Sequence, residues 1–406
     1  MDALTRRKFL IRSGVVGAGA LAAGATALSL SDVLKTAGDK PSGAKTLVVV
    51  TLYGGNDGLN TVIPFADKAY HSARPELAYD EPEVLKLDAT TGLNPALKNL
   101  HELFGTRRLA VIRGIGYPKP DRSHFKSMDI WHTAEPERPG PTGWLGRWLD
   151  AVGGDPRMAV SFEKVLPPLL AGASSAGAVV GTGEIKLPRG VTRETLAALG
   201  TSVSGESPFQ ARAAACFADL ARVDELMTTV SEAADDSPSP DDEAQATGTG
   251  GGAGLDAQLS LVAQCIEARV ATRVFSVSLG GFDTHADEKQ PHQGLLGILD
   301  KALGAFLKRV QGKDVVVLVY SEFGRRVKAN ASDGTDHGTA SSLFLLGDGV
   351  TGGLHGEPPN LSDLDNGDLK YTTDFRDVYT TVLERVLAAD AARILGPWKG
   401  RLAGVL

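Results

Sequence analysis

Four short segments hold most of the side chains in this sequence whose types and spacing could do chemistry. They are Gly54-Gly55-Asn56-Asp57, Gly281-Phe282-Asp283-Thr284-His285, Ser321-Glu322-Phe323-Gly324-Arg325 and Asp336-His337-Gly338. Carboxylates and imidazoles are the ligands of divalent cations, and gathered around one ion they support metal-assisted hydrolysis. The first three segments directly follow apolar runs, Leu47 to Leu52, Val274 to Leu279 and Val315 to Tyr320, that read as buried strands. Loops beyond the carboxyl ends of strands in an open α/β sheet converge over one crevice, where ligands bind. At a strand end, residues i and i+2 point the same way, so Asp283 and His285 can face one ion.

The elements that must position these groups alternate along the chain. Strands are expected at Thr46 to Leu52, Leu109 to Ile115, Val160 to Phe162, Val274 to Leu279, Val315 to Tyr320 and Ser342 to Leu346. Helices are expected over Asn94 to Phe104, Gly143 to Leu149, residues 206–230, Leu255 to Thr272, Gly294 to Val310 and Phe375 to Ala388, from apolar residues at helical spacing. This order predicts an α/β fold with a mostly parallel sheet and helices on both faces, as one domain over residues 45–406. The stretch from Pro167 to Gly205 reads as an excursion. Residues 231–254 are acidic and then Gly/Thr-rich, without large apolar side chains, and read as a mobile surface insertion.

Among 406 residues, 42% are hydrophobic and 22% charged, values of a globular chain with a sizeable core. A net charge of −7 leaves no basic stripe and argues against nucleic acid as the main partner. Thr5-Arg6-Arg7-Lys8-Phe9-Leu10, followed by an Ala/Gly/Val stretch from Val15 to Leu30, has the form of a twin-arginine export signal over residues 1–30. Ala25-Thr26-Ala27 offers small residues for cleavage, and no later segment approaches a membrane span. The expected partner is therefore the twin-arginine translocation machinery, with a periplasmic, cell-surface or secreted destination. Cys216 and Cys265 lack zinc-ligand spacing; each reads as a buried thiol, with a disulfide between them left open.

Together with Gly58-Leu59-Asn60-Thr61, Ser123-His124-Phe125 and Gly334-Thr335, the four segments resemble the bacterial domain-of-unknown-function family 1501. That family is commonly exported by the twin-arginine route and is grouped with the alkaline phosphatase/sulfatase superfamily. The resemblance implies an alkaline phosphatase-like fold and one or two divalent ions, Zn, Mg, Mn or Ca, held by Asp57, Asp283, His285, Glu322 and His337. It puts Ser123 in the place of the superfamily nucleophile, although a serine opening a helix is also an ordinary N-cap. His124 is then a ligand or general acid, and Arg325 the group that binds a phosphate- or sulfate-like anion. Asn56 either contacts the substrate oxyanion or holds its loop, and Asp57 sits in a run that is also strong turn chemistry. Phe323 stands where relatives carry a histidine, which removes a ligand.

The leading expectation is an exported metal-dependent hydrolase of a phosphate, sulfate or related ester, acting on a small molecule or a polymer. The alternatives are a non-catalytic binding or assembly protein on a degenerate hydrolase scaffold and, more weakly, a transferase using the same metal chemistry.

Overall fold

The computed structural model describes residues 26–163, 165–180 and 254–406. Strands of its main sheet are β1 (Thr26–Ala27), β2 (Thr46–Leu52), β3 (Leu109–Gly116), β4 (Ala159–Ser161), β5 (Ala178–Val179), β6 (Val274–Leu279), β7 (Val315–Ser321), β8 (Ser341–Gly347), β9 (Gly353–His355) and β10 (Thr373–Asp374). They lie in the order β1-β5-β4-β6-β2-β7-β8-β3-β9, with β10 pairing the end of β3. Only β8 runs against its neighbours; the other pairings are parallel. The sheet is therefore mixed but mostly parallel, as the alternation of strands and helices predicts.

Strict alternation along the central strands builds two cores. Leu47 and Val49 of β2, with Val316, Leu318 and Tyr320 of β7, face one side, where α2 (His124–Thr133), α3 (Trp144–Ala151) and α6 (Phe375–Arg385) bring Trp131, Trp144, Trp148, Phe375 and Tyr379. Val48, Val50, Val317 and Val319 face the other side, against α1 (Lys98–Gly105), α4 (Leu255–Glu267) and α5 (Lys289–Arg309). Because both faces are covered, β2 is buried at every position, which is why it reads as an unbroken apolar run.

Several boundaries differ from the sequence expectation for local reasons. Helix α4 stops at Glu267 rather than Thr272, because Arg269 turns left-handed at φ 54°. Helix α5 starts at Lys289 rather than Gly294, with Pro291 tolerated in its first turn. Residues before the first expected strand also form elements: Thr26–Ala27 pairs with β5, and Leu30–Leu34 forms a helix opened by a Ser29/Asp32 capping box. Val62–Ile63, Leu85–Lys86 and Gly92–Leu93 form a second small sheet that has no strong signal in sequence. Cys265 is a buried free thiol. The signal segment up to residue 25, the helix over 206–230, Cys216 and nearly all of the 231–254 insertion lie outside the described residues. Among the described residues, no helix is long and apolar enough to cross a membrane.

Leu318 is fully buried on the face that meets the tryptophans. Replacing it with Ala should cost about 2–5 kcal/mol, read as a fall in denaturation midpoint at unchanged slope. A loss below about 1 kcal/mol would mean that this face is not closely packed.

Candidate metal centre

Three loops leave the carboxyl edge of the sheet side by side, after β2, β6 and β7. Gly54 and Gly55, both at positive φ, let them touch. A Cβ on Gly54 would come within 2.5 Å of the Asp283 amide nitrogen, and one on Gly55 within 2.3 Å of the Phe323 ring. At the centre of the three loops lies Arg325, with no exposed side-chain surface. Its Nε donates to the Gly55 carbonyl at 2.6 Å, Nη1 to Thr335 at 2.9 Å, and Nη2 to Phe282 and to Asp283 Oδ1, each at 2.8 Å, as well as to the Gly54 carbonyl. Every guanidinium nitrogen is engaged in joining loops or in holding Asp283, with no exposed surface. The guanidinium has no fork left to offer an anion, the role the sequence reading gave it.

Asp283 in turn meets imidazoles. His337 Nε2 lies 3.1 Å from Asp283 Oδ1, 3.0 Å from His285 Nε2 and 3.1 Å from His124 Nε2. His285 Nε2 is 3.0 Å from Asp283 Oδ1, and His124 Nε2 is 3.4 Å from Oδ2. His124, Asp283 and His337 offer ligand atoms that all lie within 4.8 Å of one another, the one such group among the described residues. His285, more exposed, adjoins it at the rim. One ring nitrogen cannot satisfy three neighbours at these distances with a single hydrogen. A shared cation can: bond lengths of about 2.0–2.2 Å place neighbouring ligands about 3.3–3.6 Å apart at tetrahedral angles and about 2.8–3.1 Å apart at right angles.

The far side of each ring supports the same reading. His124 Nδ1 donates to Glu322 Oε1 at 2.7 Å, and His337 Nδ1 donates to the Arg122 carbonyl at 2.8 Å. Such bonds fix the tautomer that leaves Nε2 free to ligate. Glu322 therefore acts through His124 instead of facing the cluster itself; its Oε1 also accepts the Gly54 N–H, at 2.9 Å, and its Oε2 the Ser321 hydroxyl, at 2.9 Å. The donor set of nitrogen and oxygen fits a divalent cation and does not single out which.

Electrostatics follow from this crowding. Burial alone would raise the Asp283 carboxyl, but hydrogen bonds from His124, His337 and Arg325 hold it far below the carboxylate range. Burial works against charge on His124, yet its bonds to Asp283 and Glu322 outweigh it and push the pKa up to about 9. In the cation-free protein His124 thus carries a proton at neutral pH where a ligand must be bare.

Asp57 lies in a neighbouring buried network. It caps the short helix Gly58–Thr61 by accepting from Leu59, and it pairs with Arg74 Nη1 at 2.5 Å, both side chains fully buried. Arg74 also donates to the Val327 and Arg326 carbonyls, tying this loop to the one after β7. Burial and the adjacent Asp57 carboxylate push Glu288 up to about 8, so it holds a proton beside Asp57. Asn56 is spent on Thr61 and His292, a loop-holding arrangement. Ser123 opens α2, exposed, with no side-chain cap bond, next to His124. Arg74 had no sequence signal of its own; for Glu288, the N-cap of α5, its i, i+4 spacing to His292 was the available hint.

A family model described as "Protein of unknown function (DUF1501)" matches residues 116–405. No curated protein matches the sequence. Among solved structures, a protein in the alkaline phosphatase superfamily from Vibrio parahaemolyticus is 12% identical, over 99% of this chain and 78% of that one, with a TM-score of 0.37. The lipoteichoic acid synthase of Listeria monocytogenes is 11% identical, over 91% of this chain and 82% of that one, also at 0.37. Likenesses this distant carry no statement about the reaction.

Two outcomes follow from the geometry. Because His124 is protonated without a cation, its contribution to stability is full below its ordinary pKa of 6.5 and is lost as pH rises through about 9. Zinc binding at pH 7 should therefore release about one proton, seen by calorimetry in buffers of different ionisation enthalpy; no buffer dependence would contradict the assignment. Glu322→Gln should weaken zinc binding about 10–100-fold, and unchanged affinity would show that Glu322 does not orient His124.

Proposed function

The chain belongs to the DUF1501 family of proteins of unknown function, and we propose that it is an exported metal-dependent hydrolase of phosphate, sulfate or related esters. The observation that carries this reading is His337 Nε2, with three potential ligand atoms within 3.1 Å and its other nitrogen tied to a carbonyl. His124, Asp283, His285 and His337 would hold the cation. When bound there, a divalent ion supplies Lewis-acid polarisation of the ester and neutralises developing charge.

The chain's own groups supply the rest. Ser123, exposed and beside His124, is the proposed nucleophile: its Oγ gives up its proton and bonds to the central atom of the ester as the bond to the ester oxygen breaks, that oxygen takes up a proton and leaves as the alcohol, and water then breaks the Oγ bond, returning a hydrogen to Oγ and freeing the anion. Arg325 keeps Asp283 ionised and aimed, and Glu322 keeps the His124 ring turned towards the cluster. Asp57, neutralised by Arg74, supports the loop from below. Export by the twin-arginine route is the accompanying proposal, carried by Arg6-Arg7 and the stretch that follows.

A second reading, a binding or assembly protein on a hydrolase scaffold, is favoured by one feature. The Phe323 ring lies 4.9 Å from that of His124 and 5.0 Å from that of His337, filling space beside the cluster with an apolar wall.

Turnover separates the two. Zinc- or manganese-loaded protein should hydrolyse an aryl phosphate or aryl sulfate, lose that activity to a chelator, and regain it on metal addition. Ser123→Ala should reduce turnover by at least about 100-fold while retaining metal. Bound metal without hydrolysis of either ester would favour the binding protein, and full activity in Ser123→Ala would return the serine to a helix-opening role.

A further inference from the structure

With Arg325 consumed by its own loops, the hydrolase reading leaves the charge of an anionic ester without a partner. Two other arginines border the cluster. The carbonyl of Arg122 accepts from His337 Nδ1, and Arg326 follows Arg325 and donates its backbone N–H to the Asp336 carbonyl at 3.0 Å. Both guanidiniums turn to one carboxylate. Asp368, only 1% exposed, accepts from Arg122 Nη2 on Oδ2 and from Arg326 Nε, at 3.3 Å, on Oδ1. A tight turn fixes that carboxylate, since Asp365 and Asp368 exchange backbone hydrogen bonds at 2.9 Å, and the Asn366 carbonyl takes Arg326 Nη2.

Two cations share one anion here, so a positive charge is left over. The arginine side chains remain 43% and 33% exposed, unlike the buried carboxylate they share. Arg326 also lines an open cavity of about 580 Å³ with Lys328, Asn330, Asp336 and Gly367. Lys328 has no ion pair among the described residues. The bridge between Arg325 and His337 closes the base of the loop around this cavity, and Asp336 Oδ1 lies 3.5 Å from His285 Nδ1. The hollow therefore opens beside the cluster.

We propose that Arg122 and Arg326, pre-oriented by buried Asp368, form a clamp for the tetrahedral oxyanion of the substrate, with Lys328 widening the positive field. This deepens the ester-hydrolase reading and rests on it. Guanidinium forks held by a carboxylate lose little freedom on binding, and they bond phosphate or sulfate oxygens in pairs. The clamp thus assigns anionic esters over neutral ones.

The test is calorimetric titration of the full chain with inorganic phosphate and, separately, inorganic sulfate, the stronger binder naming the ester class. Arg122→Ala/Arg326→Ala should weaken binding of the preferred anion at least about tenfold, while zinc affinity stays at the wild-type value. Arg326→Gln, which leaves Arg122 on Asp368, guards against loss of folding in the double variant and should weaken it about threefold or more. Removing the cation site by His337→Ala should leave anion binding that the arginine variants lack. If wild-type protein binds neither anion at about 10 mM, or if the arginine variants bind as wild type does, the clamp is overturned. Failure of the hydrolase reading looks different: the anion is bound through these arginines, yet no ester is turned over.

Discussion

The buried guanidinium of Arg325 is the contact on which the rest of this edge depends. Its donors reach carbonyls of Gly54, Gly55, Phe282 and Thr335, on segments far apart in sequence, and one carboxylate, Asp283. A charge with no exposure is tolerable only when its donors are filled and a counter-charge is near. Asp283 meets the second demand and is itself fixed by doing so. The same contact that closes the loops therefore delivers an ionised carboxylate to the imidazoles, and removing Asp283 would strand the buried Arg325 charge at a cost of about 3–5 kcal/mol.

A hierarchy of support extends outward from that pair. His337 enters from the loop that bridges back to Arg325, His285 from the segment carrying Asp283, and His124 from the start of α2. Helix α2 is seated on the sheet edge by Ser127, whose hydroxyl donates to the Glu322 carbonyl at 2.5 Å and lies 2.8 Å from that of Tyr117. Each imidazole is thus placed by an element with its own buried anchor. Rigid support of this kind suits ligands that must keep a fixed geometry.

Much of this was legible in the sequence, for a physical reason. Strands buried on both faces leave unbroken apolar runs, so β2, β6 and β7 and the chemistry following each could be read directly. Asp283 and His285 were visible because strand ends must deliver side chains to a common edge, and His337 through the motif resemblance of the segment that carries it. The roles of Arg325 and Asp57 were not. Whether a charged side chain faces a ligand or neutralises a buried neighbour depends on partners such as Arg74, which lies 17 residues from Asp57 in sequence and carries no periodic or motif signal. For the same reason the small sheet and β9 went unseen: two- and three-residue strands are too short to show a pattern.

The central claim is that one divalent cation sits among His124, Asp283, His285 and His337. Anomalous diffraction from crystals of the zinc-loaded protein, recorded on both sides of the metal edge, tests it most directly. The account predicts a single strong peak about 2.0–2.2 Å from His337 Nε2 and from an Asp283 oxygen. Zinc bound elsewhere, or these four side chains bridged by water alone in zinc-soaked crystals, would contradict it.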